Sequence, residues 1–165
     1  MTGGELCKRI GAQTRDLRYI LEQGYVPEGV EEAPDRGNHR DLNPKQALWL
    51  AVVLKLKASG LSTPHAVKLA NQMKGWIDLS ANDLSLGPYH NPFAPIVSGK
   101  ATTYIDVGDS LHLRLYYDPH EGVPPVTQPW TQGQNINNFQ PDPFTIIRVN
   151  ISRLLELLFH TPTPE

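Results

Sequence analysis

The sequence predicts an α+β chain: four short helices in the N-terminal half, then a small antiparallel β-sheet with a C-terminal helix. Three observations predict it. Apolar residues recur at three- and four-residue spacing through the first seventy positions, the signature of helices that bury one face. Residues 103–117 instead alternate apolar and polar around a Gly-Asp step, which is a hairpin pattern. A cluster of leucines then follows Ser152 at helical spacing.

The first helix spans Glu5 to Ile10, with Leu6 and Ile10 four apart and Gly11 placed as its left-handed cap. A tight turn leads to a second helix starting near Gln13 or Thr14, where the Thr hydroxyl can cap it, and stopping at Gly24. Here Leu17, Ile20 and Leu21 mark one face, and Arg15, Arg18, Tyr19 and Glu22 point nearly opposite. Tyr25 to Leu42 reads as a loop. The third helix has an explicit start: Asn43 as N-cap, Pro44 in the first helical position and Gln46 at the capping-box position. Ala47 to Leu54 is uninterruptedly apolar, so this helix belongs at the centre of the core. A fourth helix begins at Ser62 and Pro64 and buries Ala66, Leu69, Ala70 and Met73, with Val67 flanking. A domain boundary near Lys74–Gly75 divides the chain into residues 1–74 and 75–165.

In the second half, Thr103, Ile105 and Val107 face Leu111, Leu113, Leu115 and Tyr117 across a hairpin. A three-residue loop, Gly108 to Ser110, keeps both apolar sets on one side by pairing Val107 with Leu111 and Ile105 with Leu113. His112 and Arg114 then fall on the polar, solvent side. Phe144 to Ile151 is a third strand, and Ser152 caps a helix through Leu154, Leu155, Leu157 and Leu158. Between residues 118 and 143 lie six prolines, too many for a central strand or a helix, so this segment is expected to be a long loop.

The net charge of −2 conceals an asymmetry. Residues 1–74 hold eleven Lys/Arg against eight acids, a balance of +3, and residues 75–165 hold four against nine, a balance of −5. Such a split is a hint of a nucleic-acid module joined to something else. The single cysteine, Cys7, excludes an internal disulfide and a Cys-rich zinc site and reads as a buried packing thiol. No apolar run approaches bilayer length, and residues 1–5 carry neither a basic nor an apolar leader segment, so a cytoplasmic protein with no membrane partner is expected. The six histidines show no metal-ligand spacing, and neither a phosphate-binding glycine loop nor a nucleophile elbow is present. An enzyme, a metal and a cofactor are therefore not expected.

The run Glu5-Leu6-Cys7-Lys8-Arg9-Ile10-Gly11, followed by Thr14-Arg15-Asp16-Leu17-Arg18-Tyr19 and Glu22-Gln23-Gly24-Tyr25-Val26-Pro27, resembles the opening of MerR-family regulators. Arg40-Asp41-Leu42-Asn43 and Gly60-Leu61-Ser62 resemble that family's signals before the third and fourth helices. The resemblance covers about residues 3–73 and implies a winged helix-turn-helix that binds double-stranded DNA. Its implied contacts are Thr14, Arg15, Arg18 and Tyr19 on the second helix, and Arg36, His39 and Arg40 in the wing. Arg15 suits a guanine edge in the major groove, and the wing residues suit a minor groove or the phosphate backbone. Alone, each exposed arginine would be no more than a solvated charge, and Glu28, Glu31, Glu32 and Asp35 make the first half of the wing acidic.

Typical members of that family continue into a long coiled-coil helix. Here Gly75, Pro88, Pro92 and Pro95 interrupt any heptad pattern. The β-rich half is thus expected to supply dimerisation, effector binding or a protein partner. Two functions stand: a dimeric sequence-specific transcription regulator, of the repressor kind because the activating coiled coil is missing, and an excisionase-like architectural protein that works with a recombinase. A ligand-sensing regulator is a third.

Overall fold

The computed structural model describes residues 1–27, 41–73, 101–108, 113–119, 126–127 and 145–159. They form α1 (Gly3–Ile10), α2 (Thr14–Glu22), α3 (Pro44–Ala58), α4 (Thr63–Gln72), β1 (Ala101–Gly108), β2 (Leu113–Pro119), β3 (Val126–Thr127), β4 (Ile146–Asn150) and α5 (Ile151–Phe159). The α+β order expected from the sequence is the order found. Two compact units result, Met1–Val67 with Arg153–Glu165, and Lys68–Ser152. No helix among the described residues is long and apolar enough to cross a membrane.

Each helix start follows local chemistry. The Thr2 hydroxyl accepts the Glu5 N–H at 3.2 Å, and α1 ends on Gly11 at φ 67°, a conformation that costs a side-chain-bearing residue more than glycine. For α3, the Asn43 side chain accepts from the Gln46 N–H, and the Gln46 side chain accepts from the Asn43 N–H. This closes the capping box with Pro44 at the first position. The whole apolar run Ala47 to Leu54 is buried, as a core helix requires. Thr14 departs from expectation. It is the first helical residue rather than the cap; Gln13 holds the cap position and makes no side-chain capping bond. In α4, Ala66, Val67, Leu69 and Ala70 are buried, as is Met73 just past its end.

The sheet has the order β3-β2-β1-β4, all neighbours antiparallel. Its hairpin register differs from the expected one by two residues: Val107 pairs with Leu113 and Ile105 with Leu115. A shift of two keeps every side chain on its face, so the alternation pattern allows either register. Thr103, Ile105, Val107, Leu113 and Val149 are buried, as one apolar face demands. The two-residue β3 lies within the proline-rich 118–143 segment and takes an edge position, where proline-flanked strands are tolerated.

Two polar residues of the second half are placed differently from expectation. Ser152 does not cap α5; its Oγ accepts the buried Thr103 N–H at 2.9 Å. Arg114 is half-buried rather than solvent-facing. Its Nε donates to the Oδ2 of Asp106 at 3.1 Å, and Asp106 is 0% exposed. Arg148 on β4 takes the same carboxylate in a two-point grip, Nε to Oδ1 at 2.6 Å and Nη2 to Oδ2 at 2.8 Å. Its guanidinium also stacks 4.0 Å from the Tyr116 ring centroid and 5.3 Å from that of Tyr104. The two rings meet edge to face at 5.7 Å. A carboxylate removed from water costs several kcal/mol, and two guanidinium partners offset that cost. The hydrogen bond to Asp106, ahead of the opposing burial, pushes the Arg148 pKa up and keeps it charged.

Candidate nucleic-acid interface

The candidate interface lies on α2, and its geometry starts from the residues that α2 buries. Leu17 and Ile20 are buried, three apart on one face. Gly3, in the first turn of α1, approaches Leu17 so closely that an added Cβ would stand 2.8 Å from Leu17 Cδ2. The glycine therefore allows the two helices their close packing. The opposite face of α2 is open: Thr14, Arg15, Arg18 and Tyr19 are exposed, with Tyr19 at 49% despite its large ring. Among the described residues, Arg15, Arg18 and Tyr19 have no hydrogen-bond or ion-pair partner. Their donors face solvent.

A ridge of two arginines and a tyrosine, on a short helix fixed from behind, is equipped for a polyanion. Guanidinium groups offer forked donors to phosphate or to a guanine edge, and the tyrosine hydroxyl adds a donor or acceptor. Glu22 is exposed beyond Tyr19, so the cationic character of α2 is concentrated in its N-terminal two turns. The amide groups of that same helix end add a partial positive charge.

The wing residues Arg36, His39 and Arg40 lie outside the described residues. What is described is the chain on its far side. Asp41 bridges to Thr2, and the Leu42 N–H donates to the Met1 carbonyl at 2.9 Å.

Sequence reasoning missed two residues of this region, Lys55 and Lys57 on α3. Lys57 Nζ lies 2.8 Å from Asp16 Oδ1, so an ion pair ties the first turn of α2 to the last turn of α3. Lys55 Nζ donates to the Ile10 carbonyl at 2.7 Å, at the C-terminal end of α1. Both contacts span more than forty residues, and no local pattern announces them. Arg9, on α1, donates from Nε and Nη2 to Glu5 Oε1 and from Nη1 to the Leu158 carbonyl at 2.9 Å. Its guanidinium is thus engaged within the protein.

Residues 1–73 match the model of the MerR HTH family regulatory protein. The matched stretch contains α1 through α4 and all of the exposed α2 ridge. No curated protein and no solved structure is a match.

Proposed function

We propose that this chain, whose N-terminal half is a MerR-type helix-turn-helix, is a sequence-specific regulator of transcription that binds double-stranded DNA as a dimer and acts as a repressor. The observation that carries the reading is the two-sided α2: Leu17 and Ile20 inside, Thr14, Arg15, Arg18 and Tyr19 outside, in the stretch that matches the family. A recognition helix enters the major groove with its N-terminal residues toward base edges, which favours Arg15 as the base reader and Arg18 and Tyr19 as phosphate or nearby base contacts. Arg36, His39 and Arg40 are proposed to reach the adjacent groove or backbone. Repression is favoured over activation by the sequence after Met73, where glycine and prolines interrupt the heptads of a spacer-distorting coiled coil. Dimerisation through the C-terminal half is favoured because one short recognition helix reads too few base pairs alone. Ile146, exposed on the outer strand β4, offers apolar surface there.

Selection of a preferred duplex from a randomised pool, followed by titration at several salt concentrations, tests this. Arg15→Ala should cost about 1–3 kcal/mol on the selected site and much less on random duplex. Equal losses on both would make Arg15 a phosphate contact, and no loss would reject the assignment. Genome-wide occupancy separates the regulator from an architectural partner of a recombinase. A few promoter-proximal sites support regulation, and a single dense array supports the architectural role.

A further inference from the structure

We infer that α3 sets the pose of the recognition helix through its two lysines, so that Lys57, with Asp16 as its partner, and Lys55 are positioning residues for DNA reading. The inference rests on the DNA-binding reading of α2. Three residues, Gly11 to Gln13, join α1 to α2, and Lys55 and Lys57 engage the helix ends on either side of that turn. Lys55 takes the Ile10 carbonyl, where α1 has run out of amide partners. Lys57 takes Asp16 in the first turn of α2. The buried Leu56 between them fixes the last turn of α3 in the core, so both ammonium groups project from a rigid base. The dipoles agree with the arrangement. A cation at the C-terminal end of α3 and an anion at the N-terminal end of α2 are each favourably placed.

The ion pair also has an electrostatic task. Asp16 is the neighbour of Arg15, in the turn that a phosphate backbone must approach. Uncompensated, its carboxylate would repel that backbone and pull Arg15 inward; paired with Lys57, it leaves the ridge with its cationic character. Lys57 thereby affects recognition without touching DNA.

The test uses the full chain and four variants on the selected and random duplexes, with helix content measured in each. Lys57→Met should weaken binding to the selected site by about fivefold, with a smaller change on random duplex, and should lower the ratio between the two. Lys57→Arg should stay within about twofold of the native chain, because the pair to Asp16 is kept. Asp16→Asn should hold or raise affinity for random duplex while lowering the specificity ratio, a divergence that a loss of folded protein cannot produce. Arg15→Ala is the control. A loss with Arg15→Ala but an unchanged ratio with Lys57→Met and Asp16→Asn overturns the positioning role alone. No loss with any variant overturns the DNA reading, and the inference falls with it.

Discussion

Arg148 holds Asp106 through both carboxylate oxygens across the β1–β4 pair, 42 positions apart in sequence, and the acid is wholly buried beneath it. This side chain, which no water reaches, has Arg148 and Arg114 as its ion-pair partners. Asp106→Ala would leave two guanidinium groups without their anion, and we expect it to cost about 3 kcal/mol. Arg148→Lys should cost less, because an ammonium keeps a positive charge beside Asp106, though it loses the two-point grip and the stacked plane. Urea denaturation of the full chain measures both, and an Asp106→Ala variant as stable as the parent would show that the cluster carries no net weight.

The central helix makes a plainer prediction. Leu50 is fully buried and Leu54 nearly so. Replacing either by Ala should cost roughly 2–5 kcal/mol, the range for a methyl-lined cavity that cannot collapse. Near-parental melting of both variants would contradict the packing described for α3.

Cys7 is buried, and desolvation, reinforced by the charge of Asp16, pushes its thiol up from 9. The native thiol should resist alkylation at pH 8 and react rapidly once urea unfolds the chain. Because the folded value is the raised one, its contribution to stability is complete below about pH 9 and is lost as pH rises through the folded value. Fast labelling of the native chain would refute the burial.

Glu5 behaves in the opposite direction. Its hydrogen bonds from Arg9 hold the carboxyl below its ordinary 4.5. The stabilisation is therefore present above about pH 4.5 and lost as pH falls through the depressed value. Glu5→Gln should be less stable than the parent at neutral pH, and the two melting curves should converge in acid. A gap that persists at pH 2 would assign the difference to something other than charge.

Dimerisation has a direct check. Sedimentation of the full chain across a range of concentrations should reveal a dimer, and a substitution such as Ile146→Asp should shift it toward monomer. A chain that sediments as a monomer throughout would remove the dimer from the proposal.

Local chemistry was legible in the sequence, and long-range partnership was not. Asn43, Pro44 and Gln46 specify a helix start among themselves, and Gly11 specifies a helix end, because the interacting atoms lie within a few residues. The buried and exposed faces of α2 could be read from spacing alone. The hairpin register could not, since pairing Val107 with Leu111 or with Leu113 buries the same face. Arg114 read as a solvent-side polar residue because alternation reports only which face a residue takes. Arg148, from a distant strand, decides that this face shields a carboxylate. Lys57 and Lys55 were equally silent, for their partners lie on α2 and α1.

Arg9 reaches the Leu158 carbonyl across 149 positions of chain, within one compact unit. A ribosome that has made α1 through α4 has not yet made the segment that this unit includes from Arg153 onward. The helix-turn-helix half is thus completed only after the whole sheet has been synthesised. Closing so long a loop is entropically costly but grows only slowly with length, so the step is late rather than prohibitive. A nascent chain stalled before Leu158 would carry every residue of the exposed α2 ridge and still lack the carbonyl that receives Arg9.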